Sequence, residues 1–143
     1  MSEECVFCDI AEGRAPGFVV AENDLAFAIL DIQPLSQGHC LVIPRRHVEW
    51  WDGLTDDETD AVFRLARLTA AKIRKVFGPD LVTMYVRGRR VPHAHVFLVP
   101  TFKDDPLDRV FNALEGFQEQ ATTLTAIRGQ DEMRAAAEKL KGA

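Results

Sequence analysis

The stretch Val91-Pro92-His93-Ala94-His95-Val96-Phe97-Leu98-Val99-Pro100 places two imidazoles two residues apart in a run that otherwise reads as a buried strand. Side chains alternate faces along a strand, so His93, His95 and Phe97 share one face while Ala94, Val96 and Leu98 take the other. Ring nitrogens in such a place need partners. The pair is therefore hydrogen-bonded within the core, engaged by a metal, or placed for chemistry.

Working outward, Leu81 to Val86 pairs with Val91 to Val99 as a hairpin, with Gly88 marking the turn between them. Cys40 to Pro44 reads as a short buried strand, and Phe18 to Ala21 with Leu25 to Leu30 as two more, joined through the polar turn Glu22-Asn23-Asp24. Thr55-Asp56-Asp57-Glu58 is a capping box with acids at the positive end of a helix. The apolar stripe of that helix runs through Val62, Leu65, Ala66, Thr69 and Ile73, and Gly78-Pro79 stops it. The expected fold is α+β, a mainly antiparallel sheet of about five strands with a long helix on one face. Beyond Pro100, Asp105-Pro106 opens a short helix through Val110, Phe111 and Leu114, and Asp131 to Leu140 reads as a terminal helix.

The chain has four histidines and three cysteines. Cys5-Val6-Phe7-Cys8 sets two thiols at a spacing that reaches one tetrahedral Zn²⁺, with imidazoles for the remaining positions. A redox dithiol is the competing reading, although nothing around the pair resembles a thioredoxin βαβ unit. Cys40 lies on a strand and reads as a small core residue.

In order, Cys5-x-x-Cys8, Asp31-Ile32-Gln33-Pro34, Gly38-His39-x-Leu41-Val42-Ile43-Pro44-x-x-His47 and Val91-Pro92-His93-x-His95 resemble the histidine triad (HIT) family, most closely its small bacterial Hint-like branch. The resemblance covers roughly residues 5 to 102. It implies a nucleotidyl hydrolase or transferase, a purine nucleotide substrate and a homodimer. His95 stands at the family's nucleophile, which would form a covalent nucleotidyl-histidine. His39 takes a position at the phosphate, with a turn-capping histidine as the alternative. Asp31 matches a position that contacts ribose hydroxyls, or is a turn residue before Pro34, and Ile32 flanks the base or belongs to the core. His47 and His93 join Cys5 and Cys8 as ligands of a structural zinc ion.

Two departures from the family pattern bear on activity. The third triad position, a histidine or in some branches a glutamine, is Phe97, which neither donates a hydrogen bond nor takes up a proton. Losing one donor at a developing oxyanion typically costs about 10²–10³ in rate. Phe97 either lowers turnover or packs against a base or apolar leaving group. Upstream, Arg87-Gly88-Arg89-Arg90 replaces the usual Asn-containing, Gly-rich segment. Its guanidinium groups, Arg87 foremost, suit a polyphosphate, and a solvated turn is the plainer reading.

At 143 residues and 47% hydrophobic, the chain is expected to form one domain over 1–143, with the core motifs in 5–102 and a less well matched segment over 103–143. A net charge of −5 leaves no electrostatic footprint for nucleic acid. No apolar run reaches the ~18 residues of a membrane span, and the N-terminus lacks a signal-peptide pattern, so a cytoplasmic setting without membrane partners is expected. Two other functions stay open beside the enzyme: a catalytically weak nucleotide-binding regulator, and metal-centred redox sensing through Cys5, Cys8 and Cys40.

Overall fold

A computed structural model of the protein describes residues 4–143. The chain divides into two compact units, one reaching to Asp105 and the other running from Pro106 to Ala143. In the first, helix α1 (Val6–Ala11) precedes strands β1 (Val19–Glu22), β2 (Ala26–Leu30) and β3 (Cys40–Pro44). Helix α2 (Asp56–Phe77), β4 (Leu81–Val86) and β5 (Val96–Thr101) follow. The strands form one sheet in the order β1-β2-β3-β5-β4, with every neighbouring pair antiparallel. This is the expected α+β architecture.

The period of two along the strands sorts the sheet into two working faces. Ala26, Ala28, Cys40, Val42, Val96 and Leu98 pack against Val62, Leu65, Ala66 and Ile73 of α2. Each large aliphatic chain buried there contributes about 1.5–3 kcal/mol. Phe27, Ile29, Leu41 and Ile43 point the other way and are covered by Cys5, Phe7 and Cys8, with Val91 and Phe97 packed alongside. The long helix thus occupies one face and leaves the opposite face for the histidines.

Helix α2 starts where the capping box places it. Thr55 Oγ1 accepts the Glu58 N–H, and the Glu58 carboxylate accepts the Thr55 N–H. Glu58 is buried and also takes Arg46 Nε at 2.9 Å. Burial alone would raise its pKa, but the hydrogen bonds from Arg46 and Thr55 outweigh that and hold it below the ordinary value. That pair ties the loop bearing His47 to the helix start. Gly78 ends α2 in the left-handed region, φ 65°.

The largest difference from the sequence reading lies at the opening stretch. β5 begins only at Val96, and His93 and His95 sit in the irregular segment before it. Pro92 lacks an amide proton, the His93 N–H closes a tight turn on the Val91 carbonyl, and the Ala94 N–H donates to the Val48 carbonyl. With those groups committed elsewhere, the ladder cannot extend back to Val91. Gly88 therefore belongs to a long β4–β5 connection and not to a tight hairpin.

The second unit holds α3 (Pro106–Gln120), a short helix α4 (Thr125–Arg128) and α5 (Gln130–Lys141). The Arg128 guanidinium reaches back to the Gln118 carbonyl. Among the described residues, no helix is long and apolar enough to cross a membrane.

Candidate active site and metal centre

The irregular backbone around His93 and His95 settles the protonation pattern of both rings. His95 Nδ1 lies 2.7 Å from the His93 carbonyl, which only accepts, so Nδ1 carries the proton and a neutral ring keeps its lone pair on Nε2. His93 Nε2 lies 2.7 Å from the Pro44 carbonyl and is likewise the donor, which leaves its Nδ1 lone pair for the thiols. Burial pushes both imidazoles below the ordinary histidine value, and the two carbonyl contacts oppose the shift only in part.

Cys5, the N-cap of α1, and Cys8 in its first turn present their sulfurs to the same spot. Cys5 Sγ lies 3.3 Å and Cys8 Sγ 3.5 Å from His93 Nδ1, and His47 Nδ1 lies 3.3 Å from Cys8 Sγ. All four ligand atoms fall within 4.8 Å of one another. Zinc–sulfur and zinc–nitrogen bonds of about 2.3 and 2.0 Å in a tetrahedron give sulfur–nitrogen edges of about 3.5 Å. The observed spacings match those edges. Without a cation, burial and the adjacent Cys5 sulfur raise the Cys8 thiol to about 11. A divalent ion reverses that balance and favours the thiolate. The four residues fit a tetrahedral zinc ion.

On the same side of the sheet, a pocket of about 650 Å³ is lined by Asp31, Ile32, His39, Arg87, His95 and Phe97. The structure thus brings the remaining sequence candidates around one space. His39 comes from the residue before β3 and is buried. Its Nδ1 accepts the Leu35 N–H at 3.1 Å, so the neutral ring carries its proton on Nε2. That nitrogen has no hydrogen-bond partner and stands 3.5 Å from Asp31 Oδ2. Burial lowers the His39 pKa, and the Asp31 charge opposes the shift. Asp31 is also a turn residue, since its Oδ1 accepts the Gln33 N–H at 2.8 Å. Ile32 is 84% exposed, so it is a pocket-edge side chain and not part of the core.

Phe97 is the hub of an aromatic cluster. Its ring stacks on Tyr85 at 4.5 Å, meets His95 edge-on at 4.9 Å and approaches His39 at 5.9 Å. The β4–β5 register, which pairs Tyr85 with Phe97, sets the stack. Cys40, by contrast, is buried in the α2 face, as its strand position suggested.

Two contributors escaped the sequence reading. Phe7 stands edge-on to His93 at 5.8 Å and to His95 at 5.1 Å, bridging the thiol–imidazole cluster and the pocket. The cysteine spacing locates Phe7 but says nothing of its contacts. Tyr85 also lines the pocket, and burial raises its hydroxyl pKa with a further push from Asp31. Only the register of β4 against β5 reveals it.

Comparison with known proteins supports one reading of this geometry. A family model described as the HIT domain matches residues 12–104. Adenosine 5'-monophosphoramidase hnt1 of Schizosaccharomyces pombe is 34% identical over 101 residues, covering 67% of this chain and 73% of that protein. A zinc-bound histidine triad family protein from Mycobacterium smegmatis aligns with TM-score 0.68 at 28% identity, over 75% of this chain and 81% of its own. A HIT family protein from Bacillus anthracis aligns with TM-score 0.81 over 99% of this chain and 98% of its own, and at 23% identity shares the fold.

Proposed function

This chain belongs to the HIT family, and from that premise we propose that it is a nucleotidyl hydrolase or transferase acting through a covalent intermediate on His95. The observation that carries the reading is the hydrogen bond from His95 Nδ1 to the His93 carbonyl. It leaves a bare Nε2 on a ring that lines the pocket, and burial keeps that ring neutral near pH 7. Such a nitrogen attacks phosphorus in line. A P–N bond forms while the bond to the leaving group breaks, and the electron pair departs with that group. Water then attacks the phosphorus, a P–O bond forms as the P–N bond breaks, the lone pair returns to Nε2, and the proton released by the water passes to solvent.

The other pocket residues take roles by their chemistry. The unpartnered His39 Nε2–H is a donor for a phosphate oxygen. Asp31 accepts from ribose hydroxyls, and Ile32 packs on a purine base. A zinc ion held by Cys5, Cys8, His47 and His93 would supply structural cross-linking and charge outside the pocket. His93 joins the two sites, because its ring belongs to the ligand cluster and its carbonyl fixes the His95 tautomer. Family likeness supports a Hint-like homodimer working in the cytoplasm. The activity named for the fission yeast relative supports a phosphoramidate as one substrate class and dinucleoside polyphosphates are the other.

Release of mononucleotide from adenosine and guanosine phosphoramidates and dinucleoside polyphosphates, compared between native protein and His95→Ala, tests the proposal. Turnover in the native protein that vanishes in the variant is expected. Phe97, which brings no polar atom to the pocket, favours a second reading, a nucleotide-binding regulator. Saturable mononucleotide binding without turnover would establish it.

A further inference from the structure

The β4–β5 connection carries Arg87, Arg89 and Arg90 on either side of a buried glycine, and all three line the pocket with exposed side chains. Gly88 has φ 74°, and a Cβ built on it would come within 4.0 Å of His95 Cε1. The left-handed turn therefore lays the arginine-bearing backbone against the His95 ring. Glycine permits that conformation without strain. Among the described residues, Arg14, Arg45, Arg46 and Arg134 form ion pairs with carboxylates, whereas these three have none.

Three permanent positive charges within four residues repel one another, and here they sit on a chain whose net charge is −5. An anion at the pocket mouth would relieve that repulsion, and guanidinium forks match phosphate oxygens in geometry. We infer that Arg87, Arg89 and Arg90 form a polyphosphate subsite on the leaving side of the substrate. The preferred departing group is then a nucleoside polyphosphate and not an uncharged amine.

The inference rests on the reading of His95 as nucleophile. As Nε2 bonds to phosphorus, the bond from phosphorus to the bridging oxygen breaks and leaves its electron pair on that oxygen. The departing phosphate gains one negative charge. Phe97, whose ring meets His95 at 4.9 Å, brings no proton for it. A polyphosphate leaves readily as an oxyanion at neutral pH, and the guanidinium groups take up its charge. An amine departs well only when protonated, which this side of the pocket does not favour.

Calorimetric titration of inorganic tripolyphosphate into native protein, Arg89→Ala/Arg90→Ala and His95→Ala separates the subsite from the catalytic reading. Native and His95→Ala proteins are expected to bind alike. The double arginine variant should bind about tenfold or more weakly, and native affinity should fall as salt rises. No binding to native protein, or equal affinity in the double variant, overturns the subsite. The second readout is the ratio of kcat/KM for diadenosine tetraphosphate to that for adenosine phosphoramidate. It should exceed one and fall about tenfold in the double variant. A native ratio below one that the substitutions leave unchanged overturns the assignment to the leaving side. Tripolyphosphate binding without turnover of either compound sustains the subsite and overturns only the catalytic reading.

Discussion

Phe7 packs edge-on against His95, ring centroids 5.1 Å apart, from a position between the two cysteines that approach His93. The contact links the segment of the candidate metal site to the proposed nucleophile. Phe7→Leu keeps apolar bulk and leaves all four ligand side chains in place, so bound zinc should be unchanged. Without the ring edge, the imidazole has more room to turn, and a misplacement of about 1 Å costs up to 10²-fold in rate. The expected loss is about ten- to hundredfold in kcat with little change in KM. Steady-state kinetics beside metal analysis of the same preparation check it, and a parallel loss of zinc would refute a positioning role.

Metal removal should destabilise the protein. The cluster joins Cys5 and Cys8 near the N-terminus to His47 and His93 much farther along the chain, and an ion that binds only the folded state stabilises by its mass-action term. At 100–1,000 times its dissociation constant this is about 3–4 kcal/mol. For a chain of this size that corresponds to a fall in Tm of about 10 °C. Calorimetry with and without a chelator, followed by zinc add-back, gives the measurement. Cys8→Ser should reproduce the fall and not respond to added zinc.

His39 predicts how stability depends on pH. Its Nδ1 accepts the Leu35 N–H, so a proton placed there breaks the bond and charges a buried ring. The folded-state pKa accordingly lies below the ordinary value of 6.5. Below that value the unfolded chain binds a proton that the folded chain refuses, so the contribution of His39 is fully present above pH 6.5 and drains away as pH falls through the folded value. Urea unfolding between pH 5 and 8 should show stability rising with pH and then levelling. His39→Gln, whose amide oxygen can still accept the Leu35 N–H, should reduce the slope by up to one proton. An unaltered slope would show that His39 does not carry it.

The fold was legible where local and global signals agree. Thr55 and Glu58 mark the start of α2 by hydrogen bonds that span three residues, Gly78 marks its end, and the stripe from Val62 to Ile73 has one partner face to find. β3 was equally plain, since Cys40–Pro44 is buried throughout. The segment around His93 was not. Its alternation suits a strand, yet its amides go to Val91 and Val48, and no pattern within Val91–Pro100 announces a partner more than forty residues away. α1 escaped for a different reason, because six residues are too few to establish a period. Motif spacing indicated which residues gather around the pocket. Contacts across β4 and β5, such as Tyr85 on Phe97, follow from register and became visible only in three dimensions.

Phe97→His should place a polar group beside the proposed nucleophile, and its effect should depend on the leaving group. The Phe97 ring already touches His95 and approaches His39, so an imidazole there would sit within the same cluster and could remain against Tyr85. It would supply a proton donor on a side of the pocket that now has an apolar ring. A donor at a developing negative charge is typically worth about 10²–10³ in rate. An amine benefits most, since it needs the proton to depart, and the expected gain with a phosphoramidate is about ten- to hundredfold in kcat. A polyphosphate needs no such proton, so its rate should rise by less than about threefold. Equal gains on both substrates would mean that the new imidazole stabilises the phosphoryl group itself. A loss on both would mean that the apolar ring is required, as when Phe97 holds the His95 ring in its attacking orientation.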